Sequence, residues 1–457
     1  MVAAFPDEGG LARAARSVAL KARPLALTGS VQAYDWGGFT FIADLLGQTP
    51  APGRPAAELW LGAHPAAPAS VLVEGEATPL DALVARVPAA IAGEALARRF
   101  GGTLPYLLKI LDVREALSIQ AHPQRAQARA GFEREQAASI PLDAPERAYR
   151  DANHKPEMQV ALTDFWLLHG FRPLEAIART LDDVPELRPL LPSLGDAPGP
   201  DDGPLADAPT RLRLAYSRLM TRPQGDVDQA LSALMARLEP RYAAGDLDRG
   251  TPHFWAAKAA AYLPLVGGGY DRGLVSIYLL NLLHLQPGQA TFVGAGVLHA
   301  SLHGIAVEIM ANSDNVLRGG LTKKPVHVPE LVRILDFHSG PPTFVEPERL
   351  SSSELVYRPP AEEFELSRIR ALAGQPHYGG PVHGADTLVV LEGAGRVRAG
   401  DETLLLRRGS AVLVPHGVVY AVDTDDEMVL FKAAVPAGGG SARSGTSQAS
   451  PSREGFA

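Results

Sequence analysis

The chain has 457 residues, 46% of them apolar and 21% charged, enough to bury the cores of roughly two to four domains. It contains no cysteine, which excludes disulfides and thiolate metal ligands and leaves histidine, carboxylate and amide for any metal. A net charge of −8 argues against general nucleic-acid binding.

The first residues carry Arg13, Arg16, Lys21 and Arg23 among alanines without a long apolar core, so no secretory leader is expected and a reducing cytoplasm fits the chain. Residues 1–24 read as an N-terminal extension, loosely ordered or helical. From residue 25 to about 161, β-type runs flank a helix-like stretch at 80–100 that is rich in Ala, Leu and Arg. The run LPYLLKILDV at 104–113 reads as a buried strand, and 124–138, rich in Ala, Gln, Glu and Arg, as a solvent-facing helix. The texture changes after Arg172-Pro173. Residues 174–181, 211–221, 226–238 and 254–263 have helical spacing and read as a helical domain, 173–263, inserted between strands. Within it, 185–209 is dense in Pro, Asp and Gly and is expected to be a long exposed loop. The apolar run 275–285 is broken by Ser276, Asn281 and His284 and falls short of a membrane span. Residues 264–340 return to strands, 341–436 form a further β-rich region, and 437–457 have the Gly/Ser composition of a disordered tail.

Three clusters in this frame carry metal-type side chains. Gln120 and His122 are two apart, so on a strand both point to one face. If that face lines a barrel, Glu157 and His299 from other strands complete a cage of one amide, two imidazoles and one carboxylate. Such a cage leaves a divalent ion about one unit positive and able to polarise a substrate oxygen. Around His299, Gly288, Gly294 and Gly296 are spaced as in the second half of the cupin signature, where turn glycines bracket a strand and present a histidine inward. The fold class read from these features is mainly β with an inserted α-helical domain, built on cupin (jelly-roll) barrels: 25–172 with 264–340 as the catalytic barrel and 341–436 as a second. That second barrel echoes the signature at Gly409 and Pro415-His416-Gly417, but Tyr420 stands where a ligand histidine would be and His383 reads as a surface residue, so it is expected to hold no metal.

The segments LPYLLKILDVREALSIQAHPQ, DANHKPEMQVALTDFWLLHGFRP and VEIMANSDNVLRGGLTKKPVHV resemble those of the type I mannose-6-phosphate isomerases, zinc-dependent cupin enzymes; VQAYDWGG and AELWLGAHP resemble that family's N-terminal blocks. The resemblance spans about 25–337. It implies one zinc ion held by Gln120, His122, Glu157 and His299, and a monomeric enzyme that interconverts mannose 6-phosphate and fructose 6-phosphate through an enediol. Arg318 matches the family's catalytic arginine and would clamp the enediolate. Lys155, with a lowered pKa, and Glu308 are both candidates to carry the proton, and His64 or His154 could assist ring opening. Ser118, Lys109, Arg318 and Lys324 are expected at the phosphate. Trp36 would wall the sugar or fill a core, and Asn312 and Asp314 would orient the loop, with Asp314 also a candidate substrate contact. Two departures stand out: Ser301 occupies the place of a usual tyrosine, and Lys323 that of a usual proline. They leave open another sugar phosphate as substrate, and a non-catalytic sugar-binding cupin is the alternative outside enzymes.

Overall fold

The computed structural model describes residues 8–195, 207–263, 265 and 268–437. It is sheet-rich, with two sheets in which every ladder between strands is antiparallel among the described residues. The 10-stranded sheet is organised around one long strand, His299–Ala311, which pairs with Tyr106–Val113, Ile119–Ala121, Glu157–Ala161 and Phe165–Phe171. The expected strand at 104–113 is thus present as Tyr106–Val113, and it is buried along its whole length.

Side-chain alternation along that strand divides its residues between two environments. Leu108 and Ile110 pack outward with Met158, Val160, Val307 and Ile309 against Leu366, Leu413 and Phe431 of the other sheet. Leu107 turns the opposite way, with Trp60 and Met310. The 12-stranded sheet joins the two ends of the chain, because the early strand Leu25–Thr28 pairs with Ala411–Val414. Tyr106 ties the sheets together, its buried hydroxyl donating to the carbonyl of Ala385 at 2.7 Å.

Helices fill the stretch between Phe165–Phe171 and Leu280–Leu285: Leu174–Asp183, Ala208–Thr221, Gln224–Ala243, Pro252–Tyr262 and Gly273–Leu279. Asp207 starts the second, accepting from the Thr210 amide at 2.9 Å ahead of a proline in the first turn. In Gln224–Ala243, Val227, Leu231, Leu234 and Leu238 recur on one face and are buried. They pack with Leu212, Tyr216 and Trp255 in one core with Leu168, Phe171 and Ala300 of the sheet. The expected exposed loop at 185–209 is corrected in its first part. Pro185–Leu190 is a short 3-10 helix whose Leu187 and Leu190 are buried in this core, because leucines three apart meet on one face of a three-residue turn. Residues 196–206 of that stretch, 1–7 of the N-terminal extension and 438–457 of the tail lie outside the described residues; Glu8–Leu20 is a helix. Among the described residues no helix is long and apolar enough to cross a membrane.

Candidate functional site

Strand register assembles a row of polar side chains on one face of the 10-stranded sheet. Trp60 lies opposite Lys109, Lys109 opposite Glu308, and Glu308 opposite Gln159. Glu58 and Glu157, two residues along from Trp60 and Gln159, share that face. His299 and Ser301 join it only because of an irregularity. They are odd-numbered and Glu308 and Met310 even, so a regular strand would send the pairs to opposite faces. The register with Phe165–Phe171 shifts between Ser301 and His303, and one extra residue reverses the alternation. Gly304 follows at φ +117, where a Cβ would stand 2.4 Å from the carbonyl oxygen of Asp164.

The glycines at 288 and 296 have φ of +88 and +77, bracket the strand Ala290–Val293 as expected, and lead into His299. There, His122, Glu157 and His299 bring one donor atom each within 4.8 Å of one another, all three buried. Each histidine has its outer nitrogen on a backbone carbonyl: Nδ1 of His122 on Asn315 at 2.6 Å and Nδ1 of His299 on Val297 at 3.0 Å. A carbonyl only accepts, so both Nδ1 atoms carry the hydrogen and both Nε2 atoms present a lone pair. Those Nε2 atoms are buried without a hydrogen-bond partner and face the Glu157 carboxylate at 3.3 and 3.2 Å. Lone pairs facing carboxylate oxygens repel unless a cation lies between them. Tetrahedral zinc with bonds near ~2.0 Å would set its ligand atoms about 3.3 Å apart, so the spacing fits such an ion.

Protonation follows the same logic. Burial pushes His122 down to about 4, against the attraction of Glu157. Burial would raise Glu157, but Lys155 and His122 outweigh it and hold the carboxyl well below its usual range. Lys155 reaches Glu157 Oε1 at 2.8 Å. Burial would lower Lys109, but Glu58 at 3.5 Å and Glu308 at 3.0 Å raise it well above the ordinary lysine value.

The row borders a cavity of about 460 Å³, within the range of small-molecule sites. Trp36 stacks on Tyr34 with centroids 5.7 Å apart; half-buried, it both lines the cavity and packs against a core containing Leu111 and Phe165. At another part of the wall stand Ser118, Arg318, Lys323 and Lys324. Arg318 forms no ion pair with any described residue. Burial and the nearby Arg150 lower its pKa, and burial with Arg318 and Arg150 lowers that of Lys324. These cations therefore crowd one another, as an anion site requires.

The family model described as phosphomannose isomerase type I, catalytic domain, matches residues 25–174. Mannose-6-phosphate isomerase of Salmonella typhimurium is 36% identical over 391 residues, covering 85% of this chain and 94% of that protein. The chain belongs to the type I mannose-6-phosphate isomerase family. Among solved structures of that family, a variant of the Salmonella typhimurium phosphomannose isomerase aligns with a TM-score of 0.79 at 33% identity, over 90% of this chain and 99% of that one. A zinc-bound mannose 6-phosphate isomerase aligns at 0.77 and 33% identity, over 89% and 98%.

Among the residues singled out by resemblance to the type I isomerases, Trp36, Lys109, Ser118, Gln120, Lys155, Glu157, Glu308, Asp314, Arg318 and Lys324 all line the cavity. Gln120 lies between His299 and Arg318 in the sheet register. Two residues sit differently from expectation. Lys109 is engaged by Glu58 and Glu308, not grouped with the free cations. His154 turns away from the cavity to Glu363, 2.6 Å from its Oε1, in company with Arg125. Asp314, expected to orient its loop, pairs with His64 at 3.4 Å, and burial lowers the pKa of that histidine against Asp314. Asn312 does orient its loop, its amide donating to the Leu104 carbonyl at 2.5 Å. Sequence reasoning missed Glu58, Trp60, Gln159, Arg150 and Asn315. Spacing offered a signal for Gln159, two residues from Glu157 on one strand. Asn315 gave none: its buried side chain clamps the backbone of Arg150, Asp151 and Asn153 while its carbonyl aims His122.

Proposed function

We propose that this chain is a zinc-dependent aldose–ketose isomerase that interconverts mannose 6-phosphate and fructose 6-phosphate through an enediol. The observation that carries this reading is the pair of unpartnered, hydrogen-fixed Nε2 atoms converging on Glu157 at the edge of a cavity with free cations in its wall. His122, Glu157 and His299 would hold zinc with Gln120 as the fourth ligand. The ion supplies a positive charge that polarises the sugar oxygens as electrons build on them. Arg318, without an ion-pair partner among the described residues, is the cation for developing negative charge, and Lys324 with Ser118 takes the phosphate. Lys109 faces the sugar while keeping Glu308 in place. Glu308 carries the proton between C2 and C1; Lys155, committed to Glu157, holds that ligand ionised. His64 and Asp314 stand by for ring opening at the rim, and Trp36 supplies an apolar wall.

The same reading takes the sheets as two cupin jelly rolls: a catalytic barrel of 25–172 with 264–340, interrupted by the helical insertion 173–263, and a second barrel of 341–436. The strand Leu25–Thr28 links the first to the sheet of the second. The enzyme would act as a monomer in the cytoplasm on a small sugar phosphate, with neither nucleic acid nor membrane as partner. A coupled isomerase assay tests the proposal. Mannose 6-phosphate is expected to be turned over, with activity lost to chelator and restored by zinc; a zinc-loaded preparation inert on that sugar refutes it. Ser301 in place of tyrosine favours another sugar phosphate as the second reading.

A further inference from the structure

We infer that Gln159 both positions Glu308 and recognises a substrate hydroxyl, an inference that rests on the sugar-phosphate reading of this site. Gln159 is 3% exposed, lines the cavity and is the cross-strand partner of Glu308. Its Nε2 donates to Glu308 Oε1 at 2.9 Å and to Ser301 Oγ at 3.3 Å. Lys109 meets the other oxygen of Glu308 at 3.0 Å. Both carboxylate oxygens are thereby tethered, one by a charge and one by an amide, which sets the plane of the group.

The amide orientation is dictated by its neighbour. Turning it over would place Oε1 against the Glu308 carboxylate, acceptor on acceptor. With Nε2 spent on Glu308 and Ser301, Oε1 is left buried and without a partner among the described residues. Leaving an acceptor buried and unpaired is costly, and a donor from the ligand would offset that cost. Sugars bring hydroxyl donors, and a hydroxyl meeting Oε1 would lie beside Glu308, where the proton has to move. Ser301 makes the arrangement possible, because its short side chain lets the Gln159 amide reach across.

The test uses zinc-loaded full-length protein and two variants, Gln159→Met and Gln159→Leu, with zinc content and circular dichroism confirming the folded, loaded state. Loss of the hydroxyl contact should raise KM for mannose 6-phosphate about 3–10-fold in both Gln159 variants. Loss of the Glu308 tether should lower kcat on the order of 10-fold. If Met or Leu proves unstable, the other serves. A purely packing role would lower stability and leave kcat and KM of the folded protein unmoved; unchanged values in both Gln159 variants overturn the inference. Should the parent bind but not isomerise mannose 6-phosphate, the isomerase reading fails alone. The inference is then read by calorimetric titration with that sugar phosphate, where equal affinity of parent and Gln159→Met overturns it. A parent that binds no mannose 6-phosphate overturns both.

Discussion

Replacing Lys109 with methionine keeps the stem and removes the cation that Glu58 and Glu308 share. All three side chains are under 10% exposed, with Nζ 3.5 Å from one carboxylate and 3.0 Å from the other. At an effective dielectric of ~20 the two attractions are ~5 kcal/mol each. Part of that offsets the cost of burying the charges, so removing one member of such a group is expected to cost about 3–5 kcal/mol. Without Lys109, one carboxylate gains by taking a proton, which raises its folded-state pKa. A raised carboxylate pKa makes the penalty present at high pH and relieves it as pH falls through that value, by about 1.4 kcal/mol per unit. Urea unfolding at pH 7.5 and 5.5 should therefore show a large loss at the first and a smaller one at the second. Adding Glu58→Gln should restore more than ~1 kcal/mol, since the remaining carboxylate no longer faces a like charge. A loss below about 1 kcal/mol at pH 7.5, or the same loss at both values, refutes the shared-cation account.

Arg318→Ala should leave zinc content unchanged and lower kcat on the order of 10²–10³-fold, as loss of a transition-state charge partner does; wild-type turnover would remove Arg318 from the chemistry. In zinc-free protein, His122 titrates near 4 when folded and near ~6.5 when unfolded. Its contribution is complete above the unfolded value and lost as pH falls toward 4, so stability should drop by roughly 3 kcal/mol across that window. His122→Asn should flatten the drop, and an identical pH curve for variant and parent would sink the assignment. Glu363→Ala strips the buried carboxylate from His154 and Arg125 and is expected to cost about 1–3 kcal/mol in chemical denaturation; a change under about 0.5 kcal/mol, the size of an ordinary surface substitution, would show that this contact is idle.

Much of the site was legible because its signals are local. Gln-x-His, Lys-Pro-Glu and the glycine-bracketed His299 each sit within a few residues, and the helices announced themselves by leucine and alanine spacing. The row Trp60, Lys109, Glu308 and Gln159 was not legible, since cross-strand neighbours can be distant in sequence and the register that pairs them is a tertiary property. Lys109 was accordingly placed with the phosphate, when its charge is consumed by Glu58 and Glu308. His154 was counted toward the cavity, although Glu363, more than two hundred positions away, draws it elsewhere.

What the sequence by itself determined is chemistry: a cysteine-free set of imidazole, carboxylate and amide that suits one divalent cation, and a supply of arginine and lysine for an anion. What only the tertiary structure decided is direction. The slip between Ser301 and His303 turns the odd positions before it and the even positions after it toward one cavity. Side chains alternate at every residue of a strand, so a single unpaired residue decides which of them meet.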